Sequence, residues 1–475
     1  MSDPHFSKKY RNKANFSFGL IYPNVPQIGM ASYSMRLLYN MINSVENVVC
    51  EQIYLPENIK YPAKDSSNYY QIIQSLETQS FLKDFDILGF SLQFENDFKN
   101  ILWILENSRI PLLTKDRIKI ESDSKGSYPL ILAGGPVSTS NPLPFSPFID
   151  IFFIGDAEPH LEEFLTLFSQ HQYQGFSLKE FLSKATEIEG LYIPSKNNNA
   201  NRVVQKDLNR VSIPIQQASP FKKKITEVSG LASNFLLEIN RGCPFQCKFC
   251  ISSFHNIPFR NRDYENIINA IDQVQKHGVF EKISLIGSCV SAHPQFKEIC
   301  NYIVQKRMKL SIPSMRIEHL DPETIDILSA AGIKTITIAP ETGSEPLRFA
   351  LGKKISDEKI YEVIFLLKDS AIKNIKFYFL IGLPGESEED VLATKEMIQN
   401  FAHLEFNRDA LRININPFIP KLNTPYEFET FWYLNENFAL LRKRFKKLVE
   451  SLNGKARIQL KVKNVTKILK EAKLQ

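Results

Sequence analysis

Phe235-Leu236-Leu237-Glu238-Ile239 runs through Asn240 into Arg241-Gly242-Cys243-Pro244-Phe245-Gln246-Cys247-Lys248-Phe249-Cys250. A short apolar run bounded by polar residues and glycine reads as a buried strand. The three cysteines, at CxxxCxxC spacing, therefore sit on the loop at its carboxyl end. In parallel α/β folds, ligand sites gather at that end of the strands. Three thiolates on one short loop are soft ligands, suited to iron–sulfur or zinc. A structural zinc site takes four closed ligands, and no fourth Cys or His pair lies nearby in the sequence. Three ligands on a cubane leave one iron open.

From this stretch onward strand and helix patterns alternate strictly. Strands are expected at 235–240, 282–287, 309–317, 334–340, 375–382 and 410–416. Helices are expected at 264–278, 294–307, 321–332, 356–369, 387–403 and after 425. Six βα units predict a partial, open (βα)6 TIM-type barrel over residues 234–430, with chemistry on the loops at the strand ends. Ahead of it, apolar runs at 15–22, 86–92, 129–133 and 149–154 alternate with helical patterns, and each ends in Gly or polar residues. That pattern predicts an α/β domain over residues 1–165, a doubly wound (Rossmann-like) parallel sheet. Residues 166–233 read as a connector with a hairpin turning at 197–201, and 431–475 as a basic C-terminal segment.

The chain of 475 residues is too long for one ordinary core. Its 43% hydrophobic and 23% charged content are those of a globular protein. No apolar run reaches the roughly twenty residues of a membrane span, and Met1-Ser2-Asp3-Pro4-His5 lacks the apolar core of a signal peptide. Six cysteines, three of them clustered, do not suggest a disulfide framework; a reducing cytoplasm is expected. Residues 441–475 carry twelve Lys/Arg against two Glu, or +10, leaving −4 for the rest of a chain whose net charge is +6. The basic excess is thus local. Phe445, Leu448, Val449 and Leu452 repeat there at helical spacing, which predicts an apolar face against the barrel and a basic face in solvent.

The cysteine loop after a first barrel strand resembles the radical S-adenosylmethionine (SAM) enzymes. The resemblance implies a [4Fe–4S] cluster on Cys243, Cys247 and Cys250, with SAM chelated to the open iron and cleaved to a 5′-deoxyadenosyl radical. Phe249 matches the residue that meets the adenine. Tyr378 to Glu386 is similar to the motif in which an apolar strand ends in GxPGE, so Ile381 and Gly382 fall at the adenine; Glu386 is expected as an N-cap or first-turn acid. Glu341 matches a polar group at the SAM methionine or ribose, and Arg348 is a candidate partner for the SAM carboxylate. Gly287 and Ser288 stand where a Gly-Gly-Glu motif receives the SAM amino group, without its acid. Cys289, next in line, reads as a small buried hydrophobe. Ile413 to Lys421 with Thr424-Pro425 resembles the sixth-strand end of the cobalamin-type members.

The first 165 residues resemble the cobalamin-binding domain that precedes many such barrels. Ser91 and Gly134-Gly135 match positions that pack around the nucleotide tail. Asn24-Val25-Pro26-Gln27-Ile28-Gly29 aligns with the first loop, DxHxxG in the cobalt-ligating form. Asn24 and Gly29 fit, but Pro26 replaces the histidine, so cobalamin would bind with no histidine on cobalt. The resemblance implies a radical SAM enzyme, cobalamin-dependent in methyl transfer or a radical rearrangement, with flavodoxin or ferredoxin as electron donor. No single catalytic side chain and no substrate emerge. One rival is a radical SAM enzyme with an empty N-terminal domain. A methylthiotransferase needs a second three-cysteine cluster in that domain, where only Cys50 lies. A third is a nucleic-acid binder with a structural cluster; RNA at the basic segment is the lesser reading, because the aromatic platform of such binders is not evident there.

Overall fold

The computed structural model describes residues 14, 16–57, 71–122, 128–175, 177–217, 230–404, 411–429, 443, 446–448, 450 and 458–462. It divides into two compact units, Met1–Ser233 and Asn234–Gln475.

The first unit is built on a six-stranded sheet: β1 (Phe16–Tyr22), β2 (Val48–Tyr54), β3 (Ile87–Ser91), β4 (Leu130–Gly134), β5 (Ile151–Phe153) and β6 (Leu191–Tyr192), in the order β2-β1-β3-β4-β5-β6. Every pairing is parallel except β5 with β6. All seven residues of β1 are buried, because both faces are covered. Phe16, Phe18, Leu20 and Tyr22 enter one apolar cluster with Met35 and Ile42 of the helix Tyr33–Ser44. Ile21, Leu88 and Phe90 enter another with Ile101 and Ile104 of the helix Phe98–Asn107. Helices on both faces, with the order turning between β1 and β3, make this the expected doubly wound sheet.

Within the connector, residues 191–203 do not form the expected hairpin. Leu191 and Tyr192 pair antiparallel with Phe153 and Phe152, and Val203 bridges to Gly155. Asn198 closes the turn: its Nδ2 donates to the Leu191 carbonyl, and its Oδ1 accepts from the Ile193 N–H. The two runs thus attach separately to the sheet, whose edge offered free backbone groups.

The second unit contains a short antiparallel ladder, β8 (Asn240–Arg241) with β9 (Arg260–Asn261), and seven parallel strands. These are β7 (Phe235–Glu238), β10 (Lys282–Ile286), β11 (Lys309–Ser311), β12 (Thr335–Glu341), β13 (Asn374–Ile381), β14 (Leu411–Pro417) and β15 (Ile458–Val462). They form two sheets, β11-β10-β7 and β12-β13-β14-β15. A bond from the Met315 N–H to the Thr337 carbonyl, 3.0 Å, links the two beyond the end of β11. The strands and the helices from 264 to 403 overlap the expected ones, but β11 ends at Ser311 where a strand to residue 317 is expected, and the helix expected after 425 falls largely outside the described residues. The helix Glu388–His403 shows the basis of the overlap: Ser387 and Asp390 form a capping box, and Thr394, Met397, Ile398 and Phe401 make its buried stripe.

β15 corrects the sequence reading. Five residues inside the basic segment extend the barrel as a further strand, Ile458 to Val462 opposite Leu411 to Ile415. Phe445, Val449 and Leu452 lie outside the described residues; Leu448 is buried.

Candidate functional site

Strand β7 is buried at every residue and delivers the cysteine loop to its carboxyl end. The β8–β9 ladder and the Glu238–Arg241 ion pair, 2.9 Å, brace the loop's base. Gly242 turns it at φ +82°, where a Cβ would collide with the Asn256 carbonyl oxygen. On the far side the Lys248 N–H donates to the Leu351 carbonyl, 2.9 Å, and a Cβ on Gly352 would stand 2.8 Å from the Gln246 oxygen. Cys250 then opens the short helix Ile251–His255. Cys247 is buried, and Cys243 and Cys250 are half-buried.

Cations surround these thiols. Arg316 Nη1 lies 3.7 Å from Cys247 Sγ, and its guanidinium stacks 3.7 Å above the Phe245 ring centroid. Glu318 Oε1 accepts from Arg316 Nη2 at 2.5 Å. Burial pushes the Cys247 thiol up, against the pull of Lys353 and Arg316. The Cys243 thiol is drawn down, chiefly by a hydrogen bond from Cys289. Cys289 is buried as expected, but it belongs to the site: Cys289 Sγ lies 3.8 Å from Ser291 Oγ, which lies 2.8 Å from His319 Nδ1. Burial lowers the pKa of His319, favouring the neutral ring. Among the described residues no three His, Cys, Asp or Glu side chains close on a single metal ion. A three-thiol loop with adjoining guanidinium fits instead an anionic iron–sulfur cluster, whose thiolates are spread over several irons.

The residues assigned to SAM are placed as follows. Phe249 is half-buried on the loop, and Ser288 is exposed beyond β10. Gly287 is glycine because a Cβ there would collide with Asn240 Oδ1, a buried acceptor without a hydrogen-bond partner among the described residues. Asn240 Nδ2 donates to the Cys289 carbonyl, 2.8 Å. Glu341 is a buried acid at the end of β12, with φ +72° and Oε1 2.8 Å from Lys353 Nζ. Arg348 is corrected. It is fully buried, and its guanidinium is spent on the Thr342 and Ile355 carbonyls and Asp357 Oδ1, so it ties a loop together. The Ile381 carbonyl accepts from the Phe418 N–H, 2.8 Å, and the Gly382 N–H donates to Glu386 Oε2, 2.7 Å. Glu386 therefore braces this turn, and Ser387 is the N-cap.

In the first unit the loop after β1 holds Asn24 by its Nδ2 to Asp97 Oδ1, 3.3 Å, and by its Oδ1 from the Val25 N–H, 2.9 Å. Pro26 opens a one-turn helix, Pro26–Gly29. At Gly29 a Cβ would strike the Tyr54 ring, so its smallness serves internal packing as well. Ser91 is buried and accepts from Gln93 Nε2, 3.2 Å. A Cβ on Gly134 would lie 3.6 Å from that of Phe153, an ordinary contact, whereas Gly135 has φ +104° and a Cβ site 2.7 Å from the Leu92 oxygen. Sequence reading missed Asp97. It is buried, its Oδ2 has no partner among the described residues, and burial raises its carboxyl to about 6. Ile28 and Phe94, in the segments just after β1 and β3, are 45% and 57% exposed, and Leu143, beyond the helix that follows β4, is 65% exposed.

Residues 34–194 match the family of N-terminal regions of radical SAM proteins, and residues 237–398 the radical SAM superfamily. An uncharacterized protein of Methanocaldococcus jannaschii is 27% identical over 413 residues, 87% of this chain and 79% of its own. A putative methylthiotransferase of the same organism is 28% identical over 188 residues, 37% of this chain and 41% of its own. The solved radical SAM methyltransferase TsrM from Kitasatospora setae, with cobalamin and a [4Fe–4S] cluster bound, superposes with a TM-score of 0.56 at 14% identity, over 87% of this chain and 74% of its own. The cobalamin-dependent SAM radical enzyme OxsB superposes at 0.55 with 15% identity, over 91% and 56%. At such identities these two share the fold with this chain. No helix among the described residues is long and apolar enough to cross a membrane. With its cysteine loop at the end of the first barrel strand, the segment 237–398 is a radical SAM superfamily domain, which takes a [4Fe–4S] cluster and SAM as cofactors.

Proposed function

We propose that Cys243, Cys247 and Cys250 hold the cluster, that SAM binds beside it, and that the N-terminal unit binds cobalamin with no histidine on cobalt. The reaction is then methyl transfer to an unactivated carbon, or a related radical rearrangement. The observation that carries this reading is the cysteine loop, pinned at Gly242 and Lys248 and faced by cations, at the carboxyl end of a buried strand. The bound cluster and SAM supply the electron transfer and the 5′-deoxyadenosyl radical. The chain's own residues bind and orient. Phe249, Gly287, Ser288, Ile381 and Gly382 shape the SAM site, the last two as a turn held by Phe418 and Glu386. Glu341, fixed by Lys353, offers a carboxylate to the ribose or the methionine amine. A flavodoxin or ferredoxin supplies the electron.

For cobalamin, support comes from the doubly wound sheet and from the exposed apolar Ile28 and Phe94 just after β1 and β3, which suit the face of a macrocycle. Asn24, Ser91 and the Gly134-Gly135 backbone line the same end of the strands. TsrM and OxsB are described with cobalamin. Anaerobic reconstitution should give about four irons per chain, bound cobalamin, and 5′-deoxyadenosine on reduction with dithionite. Iron retained in the triple Cys→Ala variant refutes the cluster assignment. SAM cleavage without any cobalamin uptake refutes the N-terminal assignment and leaves a radical SAM enzyme with an empty first domain.

Relatives described as methylthiotransferases raise a second reading. That activity calls for a second three-cysteine cluster. Residues 1–233 contain one cysteine, Cys50, fully buried in β2. About eight irons per chain would be its signature.

A further inference from the structure

Arg316 follows β11 by five positions and lies 69 residues from Cys247 in sequence, yet its guanidinium has a divided set of contacts. The Nε and Nη2 edge donates to Glu318 Oε1, at 3.1 and 2.5 Å. The flat face rests on Phe245, which stands between the first two cluster cysteines. The remaining edge puts Nη1 3.7 Å from Cys247 Sγ. A planar fork can serve an acid, a ring and a sulfur at once, whereas an ammonium presents a single point of charge.

We propose that Arg316 is a positioning residue for the cluster, donating a charge-assisted N–H···S hydrogen bond to Cys247 that raises the cluster's reduction potential, with Glu318 opposing the effect. This rests on the cluster reading above. Reduction adds one electron, taken from an external reductant, to a cluster that already carries thiolate charge. A cation at the ligand sulfur stabilises the reduced form more than the oxidised one. Hydrogen bonds to the sulfurs, net charge and solvent exposure are the levers on such potentials. Glu318 returns negative charge to the same place and keeps the guanidinium aimed.

The test is a redox titration followed by electron paramagnetic resonance on the full chain, reconstituted anaerobically and free of SAM, with iron counted in each sample. Arg316→Gln should shift the potential negatively by about 59 mV, a tenfold loss in the one-electron reduction equilibrium. Arg316→Lys should recover part of the shift. Glu318→Gln should move the potential the other way. Unshifted potentials at full iron content overturn the inference. So does an Arg316→Gln variant that weakens SAM binding while its SAM-free potential stays put, which would make Arg316 a SAM ligand. If Arg316→Gln assembles no cluster, Glu318→Gln decides alone, and the absence of a positive shift overturns the inference. Wild-type protein that takes up no iron refutes the cluster reading, and this inference with it.

Discussion

Glu341 sits at φ +72°, a conformation that costs a residue with a Cβ, and its carboxylate meets Lys353 with both side chains about nine-tenths buried. Breaking a buried pair leaves a bare charge behind, so Glu341→Gln should cost about 3 kcal/mol in urea unfolding. Glu341→Gln with Lys353→Met should recover much of it; a double-variant loss equal to the sum of the two single losses would mean the pair is not coupled. Asp97 carries the opposite burden. Its carboxyl keeps a proton to about pH 6 in the folded chain, against about 3.9 when unfolded. Between those values the native state binds more protons, so stability falls as pH rises and the loss is complete above the folded pKa. Asp97→Asn keeps an acceptor for Asn24 and removes the titration. The variant should gain on wild type by about 3 kcal/mol from pH 4 to pH 7 and match it below. A difference independent of pH would show that Asp97 is not the titrating group.

At the scale of elements, the glycines after β4 separate two roles. Gly134→Ala makes only an ordinary contact with Phe153 and should stay within about 1 kcal/mol of wild type. Gly135→Ala must hold φ +104° beside the Leu92 oxygen and should cost more than that, so loss of cobalamin in this variant alone would report misfolding. β15 makes a similar point. Deleting residues 441–475 removes a strand as well as a charge run and bares the edge of β14. Its melting temperature should fall by at least about 5 °C, given roughly five lost backbone bonds. An unchanged melting temperature would show that β15 adds nothing to the barrel. Most barrel strands from 235 to 417 were legible because they are apolar or alternating runs between turn residues, whereas the three residues of β11, Lys309-Leu310-Ser311, were read as a longer strand. β15 was not legible, since Ile458-Gln459-Leu460-Lys461-Val462 is short and lies in a basic surround. The cysteine loop was legible as a local spacing. Arg316 and Lys353 were not, because only the folded strands and their loops bring them to Cys247. Arg348 was misread because a loop-tying arginine and a ligand-binding one look alike until their acceptors are known.

Across the whole molecule the charge is lopsided: +10 within residues 441–475 and −4 in the remainder. A local basic run attracts polyanions without reading them, and such binding is driven by counterion release. Nothing in the described part of this segment supplies a stacking platform, so association with RNA should be weak, indifferent to sequence and confined to low salt. Because β15 lies within the segment, truncation would confuse charge with folding. The cleaner experiment replaces with Gln the five cations of 442–447 and the three at 467, 470 and 473, which leaves the strand's sequence intact. Wild-type protein should retain RNA at about 50 mM salt and release most of it by about 200 mM, with a logarithmic slope of roughly −0.7 per phosphate neutralised on a single strand. The substituted protein should bind little at either salt while keeping its melting temperature and its iron. Retention that ignores both salt and substitution would mean that RNA contacts a built site elsewhere on the chain, and would favour RNA as the substrate of the radical chemistry.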